Sequence, residues 1–91
     1  MHSVYFLTSQ KNKRYLYVGL TNSLQRRLKE HNSKESKLAT APYRPLDLAG
    51  YVAVKDKRIG EELEKYFKTG SGKAFLKKRI LPDEAPSTSN D

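Results

Sequence analysis

Arg27 and His31 stand four residues apart in a segment of helical periodicity, so their side chains are expected on one stripe of a helix. A guanidinium can donate two parallel hydrogen bonds to phosphate oxygens, which makes Arg27 a candidate anion-binding residue. Plainer roles are also open. Arg27 lies beside Arg26 and Lys29 on a polar face, and His31 could interact with the carbonyl end of the helix.

Tyr5 and Tyr17 lie in two runs that are typical of β-strands. Residues 3–8 and 14–20 are rich in β-branched and aromatic side chains, and a short polar stretch joins them, which predicts an antiparallel hairpin. A hairpin symmetric about Lys11 places Tyr5 directly opposite Tyr17, with Cβ atoms roughly 4.5–5.5 Å apart. A slip of one residue would turn the rings to opposite faces. Taken alone, the two tyrosines are most simply ordinary strand aromatics.

A first helix is predicted over residues 24–33, after three candidate N-cap residues at positions 21–23. Leu24 and Leu28 are four residues apart, so they would pack this helix on the sheet. Residues 34–45 show no helical or strand period and contain two prolines. They predict a long connection in which substrate contacts could lie.

The next elements are a third strand and a second helix. Residues 46–55 alternate between apolar and polar side chains, with Gly50 as a candidate bulge. Asp56 is the predicted N-cap of a helix that runs to Thr69. The apolar stripe of this helix consists of Ile59, Leu63, Tyr66 and Phe67.

The C-terminal part predicts a short last helix and a tail. Gly70 suits the left-handed position that ends a helix, and Ser71 is the predicted cap of a third helix over residues 72–80. The small, polar and acidic residues 82–91 predict a disordered tail. The order ββαβαα predicts an α+β domain over residues 1–81, with a three-stranded antiparallel sheet flanked by helices.

The sequence is strongly basic, with 18 Lys and Arg against 10 Asp and Glu and a net charge of +8. Residues 1–81 hold all 18 bases and seven acids, a net +11, whereas residues 82–91 hold three acids and no base. Such a basic body suits a polyanionic partner, because each neutralised phosphate releases counterions. The plainer alternative is a solvated, solubilising surface.

Composition excludes several other classes of protein. The absence of cysteine rules out disulfides, cysteine-ligated zinc and thiol catalysis, and it suits a reducing compartment. No run approaches the roughly 18 apolar residues of a membrane span, and no signal peptide is visible, so a cytoplasmic location without membrane contact is expected. A chain of 91 residues has room for one small core and an open cleft.

Four segments together resemble the motifs of the GIY-YIG nuclease family. Val4-Tyr5-Phe6 and, about a dozen residues later, Tyr17-Val18-Gly19 resemble its paired signature. Residues 24–31 resemble its first helix, with an arginine and a histidine one turn apart, and residues 63–73 resemble the later helix with its glutamate. The first triplet keeps only its tyrosine, and valine replaces isoleucine in the second. The likeness covers residues 3–80 and implies a small stand-alone member of the family.

This resemblance implies phosphodiester hydrolysis with one divalent ion, Mg²⁺ or Mn²⁺, and a catalytic set completed by His31. Glu64 would hold the ion as a hard oxygen ligand, and Arg27 would clamp phosphate oxygens as charge builds up on them. Tyr5 would be the base and Tyr17 would orient it or the water, although which tyrosine is the base stays open. A free phenol titrates near about 10, and Arg27, His31 and the metal ion are expected to lower the pKa of Tyr5.

The choice of glutamate and the surroundings of the metal depend on the resemblance. Periodicity alone cannot select Glu64, because Glu62 also borders the apolar stripe, and Glu64 with Lys68 has the spacing of a solvated helix face. Some family members carry a late asparagine that helps to organise the site. This sequence has no asparagine between Asn32 and Asn90.

Seven further basic residues could follow a phosphate backbone. They are Lys34, Lys37 and Arg44 in the long connection and Lys73, Lys77, Lys78 and Arg79 in the last helix. The predicted function is a metal-dependent endonuclease acting on nucleic acid, with low sequence specificity unless a protein partner supplies targeting. DNA is favoured as the substrate, although the choice between DNA and RNA stays open. Two alternatives stay open: a nucleic-acid-binding module of the same fold with little catalysis, and an interaction domain for an acidic protein.

Overall fold

The computed structural model describes residues 1–81, and the tail predicted over residues 82–91 lies outside the described residues. The regular elements are β1 (His2–Ser9), β2 (Leu16–Thr21), α1 (Leu24–Asn32), β3 (Leu46–Val54), α2 (Lys57–Phe67) and α3 (Gly70–Phe75). A 3-10 turn at Ala41–Tyr43 precedes β3, and a π-helical turn at Leu76–Ile80 continues α3. The predicted order ββαβαα and the α+β class are confirmed. No helix within residues 1–81 is long and apolar enough to cross a membrane.

The central strand β1 is buried on both faces of the sheet, whose strand order is β2-β1-β3 with both pairings antiparallel. One face packs on α2 and the π-helical turn through Val4, Phe6, Val18, Phe67 and Leu76. The other packs on α1, where Leu24 and Leu28 meet Tyr5, Leu7 and Leu46. We call these the α2 face and the α1 face. The predicted packing of Leu24 and Leu28 on the sheet is confirmed.

The register of the hairpin differs from the predicted one. Tyr5 pairs with Gly19 and Leu7 with Tyr17, so the centre of symmetry is Asn12 and the prediction that Tyr5 lies opposite Tyr17 is wrong. The turn explains the difference. Ser9 Oγ accepts hydrogen bonds from the backbone N–H groups of residues 11 and 12, and Asn12 Oδ1 accepts one from residue 14. The shift is two residues, so both tyrosines still share one face.

A bulge in β3 turns its side chains from one face to the other. Phe6 pairs with Gly50, whereas Leu7 pairs with Leu48, which leaves Ala49 as the extra residue next to the glycine predicted for this role. Leu48 therefore packs on the α1 face, although Val52 packs on the α2 face. A regular strand would have placed both side chains on the same side.

Several boundaries in the second half also differ from those predicted. Helix α2 begins after Asp56, which caps it as predicted, but it ends at Phe67. Thr69 rather than Ser71 caps α3, and its hydroxyl oxygen accepts a hydrogen bond from the backbone N–H of residue 72 at 3.1 Å. Gly70 is the first residue of α3, and no glycine within residues 1–81 has positive φ. A new helix starts at once, so Gly70 needs no left-handed conformation.

The apolar stripe predicted for α2 is only half buried. Phe67 is buried and Leu63 packs against the same cluster, but Ile59 and Tyr66 are each 44% exposed. The short sheet has only three strands, so it covers a narrower part of the helix than the apolar spacing suggests.

Gly72 sets the distance between α3 and α2. A Cβ built at Gly72 would lie 2.0 Å from the Tyr66 carbonyl oxygen and 2.6 Å from Phe67 Cα. Those atoms belong to backbone, which cannot turn aside as a side chain does. Nothing lies within 4 Å of a Cβ built at Gly70. The two glycines therefore have different structural roles.

Gly72→Ala is expected to lower the free energy of unfolding by about 1–3 kcal/mol, because α3 must move away from α2. In a domain of this size each kcal/mol corresponds to a fall in Tm of roughly 4–8 °C, which thermal circular dichroism detects. Gly70→Ala is the matched control and should melt close to wild type. Equal Tm values for the two variants would contradict this packing argument.

Candidate active site

Three aromatic rings meet on the α1 face of the sheet. Tyr5 on β1, Tyr17 on β2 and His31 on α1 have ring centroids 6.1 Å (Tyr5–Tyr17), 5.8 Å (Tyr5–His31) and 5.2 Å (Tyr17–His31) apart. The Tyr5 hydroxyl oxygen lies 2.9 Å from His31 Nε2. Tyr5 is 2% exposed and His31 is fully buried, whereas Tyr17 is half-buried. The phenol–imidazole hydrogen bond is therefore shielded from water.

Gly19 makes room for the Tyr5 ring. The two residues pair across the hairpin, and a Cβ at Gly19 would lie 2.5 Å from both Cζ and the hydroxyl oxygen of Tyr5. Any side chain there would push the ring away from His31. Gly19 belongs to the Tyr17-Val18-Gly19 motif, but no role for it followed from the sequence.

Helix α1 brings Arg27 and His31 to the same side, as their spacing predicted. The helix is capped by Ser23, whose hydroxyl accepts a hydrogen bond from the Arg26 N–H, and its leucines anchor it on the sheet. Arg27 lies close enough to Tyr5 for its charge to act on the phenol. Its Nη1 also donates to Glu30 Oε1 at 2.7 Å, at the surface. Four predicted residues, Tyr5, Tyr17, Arg27 and His31, are thus brought together.

Thr40 is a member of this site that the sequence did not indicate. Its hydroxyl oxygen lies 2.6 Å from His31 Nδ1, and the residue is fully buried. It belongs to the aperiodic connection, where nothing in residue type or spacing marks one threonine. Two sets of hydrogen bonds fix the position of the connection. The Asn32 side chain exchanges two hydrogen bonds with the backbone of Leu46, and the Arg44 guanidinium donates to the Ser33 carbonyl.

Burial sets the protonation of the central pair. It raises the pKa of Tyr5 from 10.0 to about 12, and the neighbouring Arg27 guanidinium offsets only part of that rise. Burial, followed by the charge of Arg27, lowers the pKa of His31 below its usual value. Near neutral pH the pair is therefore a phenol and a neutral imidazole. Arg27 lowers the pKa of Tyr5 as expected, but desolvation outweighs this effect, and the neutral His31 adds no positive charge. The expected net lowering therefore fails for the chain's own groups.

Glu64 lies on α2, the helix on the other face of the sheet. Its carboxylate forms an ion pair with Lys68, with Oε2 3.2 Å from Nζ, and its side chain is 25% exposed. Glu62 is more exposed. Glu64 and Lys57 are seven residues apart, so both lie on one side of α2. The structure places Glu64 in a different layer from the ring cluster.

The donor set fits an ion that keeps most of its water. Within residues 1–81 no three His, Asp or Glu side chains cluster as a metal cage would require. A single carboxylate such as Glu64 suits Mg²⁺, which usually binds proteins through one or two carboxylates and retains several waters. The Lys68 partner is 54% exposed, and such surface pairs are weak, so Glu64 can exchange it for a cation.

A basic groove of about 360 Å³ begins beside Arg27 at the end of the sheet. Its lining includes Arg26 and Arg27 of α1, Lys57 of α2, and Thr21 and Asn22 between strand and helix. Among residues 1–81 no carboxylate lines the groove, although Glu30 and Glu61 pair with its cations from outside at exposed positions.

The seven basic residues predicted to follow a phosphate backbone lie in two places. Lys34, Lys37 and Arg44 are in the connection after α1, and Arg44 uses its guanidinium to hold that connection in place. The remaining four are exposed on α3 and the π-helical turn: Lys73, Lys77, Lys78 and Arg79. That group belongs to the α2 face, away from the ring cluster.

Comparisons with known proteins give the family of this small α+β domain. The sequence model of the GIY-YIG catalytic domain matches residues 1–79. A UPF0213 protein of Bacillus pumilus is 36% identical over 72 residues, or 79% of this chain and 74% of that protein. A UPF0213 protein of Bacillus velezensis is 37% identical over 67 residues, or 74% of this chain and 66% of that protein. The chain therefore belongs to the GIY-YIG family, whose members act as nucleases.

Gly19→Ala is expected to displace the Tyr5 ring and break its hydrogen bond to His31, at a cost of about 1–3 kcal/mol in unfolding free energy. Nitrogen chemical shifts of the His31 ring report the bond, and thermal melts report the stability. Gly50→Ala is the control, because its Cβ would meet side-chain atoms only at 3.3 Å or more. An unchanged His31 Nε2 shift in Gly19→Ala would show that Gly19 does not hold this space open.

Proposed function

We propose that this chain is a divalent-metal-dependent endonuclease that hydrolyses phosphodiester bonds in DNA with little sequence preference. The observation that carries the proposal is the meeting of Tyr5, Tyr17, Arg27 and His31 on one face, in a chain of a nuclease family. Ordinary strand tyrosines would not need a fully buried histidine from another element. A charged side chain such as that of Arg27 beside strand tyrosines is equally uncommon in a core that has only a structural role.

In this proposal, Tyr5 and His31 act together as the proton acceptor. Tyr5 is protonated near neutral pH, so it can take a proton from the attacking water only if its own proton leaves in the same step. His31 Nε2 lies 2.9 Å from the hydroxyl and is neutral, which makes it the acceptor for that proton. Tyr17 is half-buried beside both rings, so it is the tyrosine of the pair that solvent reaches more easily.

Arg27 and Glu64 supply the charges that the phosphate requires. The guanidinium of Arg27 donates to the phosphate oxygens as negative charge builds up, exchanging its exposed pair with Glu30 for them. Glu64 holds the divalent ion, which when bound supplies Lewis-acid stabilisation of the phosphate and of the leaving oxygen. The basic groove leads from Arg27 to Lys57, which lies on the same side of α2 as Glu64.

Nicking of supercoiled plasmid with Mg²⁺ or Mn²⁺ tests this function. Tyr5→Phe, which removes the base, and Glu64→Gln, which removes the metal ligand, should each slow nicking by about 10²–10⁴-fold, the usual contribution of such groups. Chelator should abolish the activity. Rates are measured at fixed salt, because binding to DNA depends steeply on it.

Matched controls decide the residue assignments in that assay. Glu62→Gln changes a more exposed carboxylate two positions away, and Tyr66→Phe removes a phenol from the surface of α2, so both should nick like wild type. Equal rates in wild type, Tyr5→Phe and Glu64→Gln would place the activity elsewhere. Salt-dependent binding without nicking would instead favour a binding module, and weak binding to every nucleic acid would favour an acidic protein partner.

The path of the DNA backbone is tested by the salt dependence of binding. The double variant Arg26→Ala/Lys57→Ala removes two groove cations, so the slope of log K against log salt should fall by roughly 1.8, at about 0.9 per lost phosphate contact. Lys78→Ala/Arg79→Ala removes the same charge from the π-helical turn. A loss of slope confined to that second variant would assign the backbone to α3 and overturn the groove.

A further inference from the structure

Thr40 is the one member of the buried site to which the proposed function gives no role. It is fully buried and its hydroxyl contacts His31 Nδ1 at 2.6 Å, shorter than the 2.9 Å contact between Tyr5 and Nε2. A buried hydroxyl is costly unless it is hydrogen-bonded. The connection that carries it is held at both ends, by Asn32 to Leu46 and by Arg44 to Ser33, so its position is fixed.

The two contacts of His31 leave two arrangements of its single ring proton. In one, Nδ1–H donates to Thr40 and Nε2 accepts from Tyr5. In the other, the Thr40 hydroxyl donates to Nδ1 and Nε2–H donates to Tyr5. Which nitrogen carries the proton is set by the hydrogen bond that the other nitrogen makes.

Donor and acceptor strengths favour the first arrangement. The Tyr5 phenol, even with its pKa raised to about 12, is a stronger donor than a neutral imidazole N–H, and imidazole nitrogen is a stronger acceptor than phenol oxygen. The alcohol oxygen of Thr40 is in turn the better acceptor for Nδ1–H. The two protons that lie in the contacts of His31 are then each on the stronger donor and point at the stronger acceptor.

We propose that Thr40 is a positioning residue that fixes His31 as the Nδ1–H tautomer, so that Nε2 keeps the lone pair that receives the Tyr5 proton. This inference rests on the proposed function. As water attacks phosphorus, its proton passes to the Tyr5 oxygen while the original phenol proton passes to Nε2. His31 becomes an imidazolium with both N–H groups paired, one to Tyr5 and one to Thr40. No further proton acceptor is required.

The groups around His31 allow this transfer to depend on pH. Tyr5 from β1, Tyr17 from β2 and Thr40 from the connection face the ring, and Arg27 and Glu30 act on it from α1. Burial and then the charge of Arg27 keep the ring neutral, so Nε2 keeps its lone pair near neutral pH. Protonation of His31 at lower pH would remove the acceptor, so the acid side of the rate profile should report His31.

Thr40→Val and Thr40→Ser in the full chain test the proposal. Valine keeps the shape but removes the hydroxyl, so nicking should fall about 10–100-fold in kcat with KM unchanged. This is less than the roughly 10²–10⁴-fold contribution of a proton-transfer group itself, because Thr40 only positions His31. Serine keeps the hydroxyl and should retain most of the rate. Nitrogen NMR should show Nδ1 protonated in wild type and Nε2 protonated in Thr40→Val. The chain has two histidines, so His2→Gln assigns the His31 signals.

Three results would overturn the proposal: Nε2 protonated in wild type, wild-type nicking by a folded Thr40→Val, or serine as slow as valine. If Thr40→Val does not fold, the wild-type tautomer and the rate of Thr40→Ser still decide. The NMR measurement needs no activity. A wild-type protein that never nicks would therefore refute the endonuclease proposal while the tautomer is still measured, so the two failures are distinguishable.

Discussion

Burial of β1 on both faces is the constraint on which the rest of this structure depends. A strand between two helical layers has no side exposed to water, yet this one carries Tyr5, whose hydroxyl needs a partner. His31 supplies that partner from α1, and its second nitrogen then needs one of its own. Thr40 is the hydrogen-bond partner of that second nitrogen, and it lies in a connection with no regular secondary structure at that point. Three sequence-distant polar groups are thus joined because the small domain offers them no solvent.

The features that follow from the periodicity of apolar and polar residues could be predicted from the sequence. The features that depend on particular tertiary contacts could not. Alternation in the hairpin predicted that Tyr5 and Tyr17 share one face of the sheet, and the four-residue spacing in α1 predicted that Arg27 and His31 share one stripe of the helix. That these two pairs meet was implied only by the family resemblance. Tyr5 and Tyr17 still share one face because the actual register of the hairpin differs from the predicted register by an even number of residues. The actual register depends on the side chains of the turn, and Thr40 depends on how an aperiodic segment folds back. Neither the register of the hairpin nor the position of Thr40 produces a periodic pattern in a single sequence.

The second layer explains why Glu64 could be selected only by resemblance. Its helix has carboxylates at several positions, and the apolar stripe does not distinguish them, because Ile59 and Tyr66 are more exposed than the spacing suggests. The sheet separates Glu64 from the rings, so the two halves of the proposed site can meet only past the end of the sheet. The basic groove lies at that end, with Arg27 on one wall and Lys57 on the other.

The protonation of Tyr5 limits how such a site can work. Exposed cations could turn a tyrosine into a phenolate, but a fully wet phenol would lose the fixed geometry that the double burial provides. Here the effect of burial outweighs that of the Arg27 charge and raises the pKa of Tyr5 to about 12. With the chain's own groups alone, Tyr5 is therefore a neutral phenol near neutral pH. A protonated Tyr5 can still act as a base because the neutral imidazole of His31 lies at hydrogen-bond distance. The imidazole can accept the phenol proton as the phenol accepts another. The depressed pKa of His31 is then a requirement of the site, since a protonated ring would have no lone pair to offer.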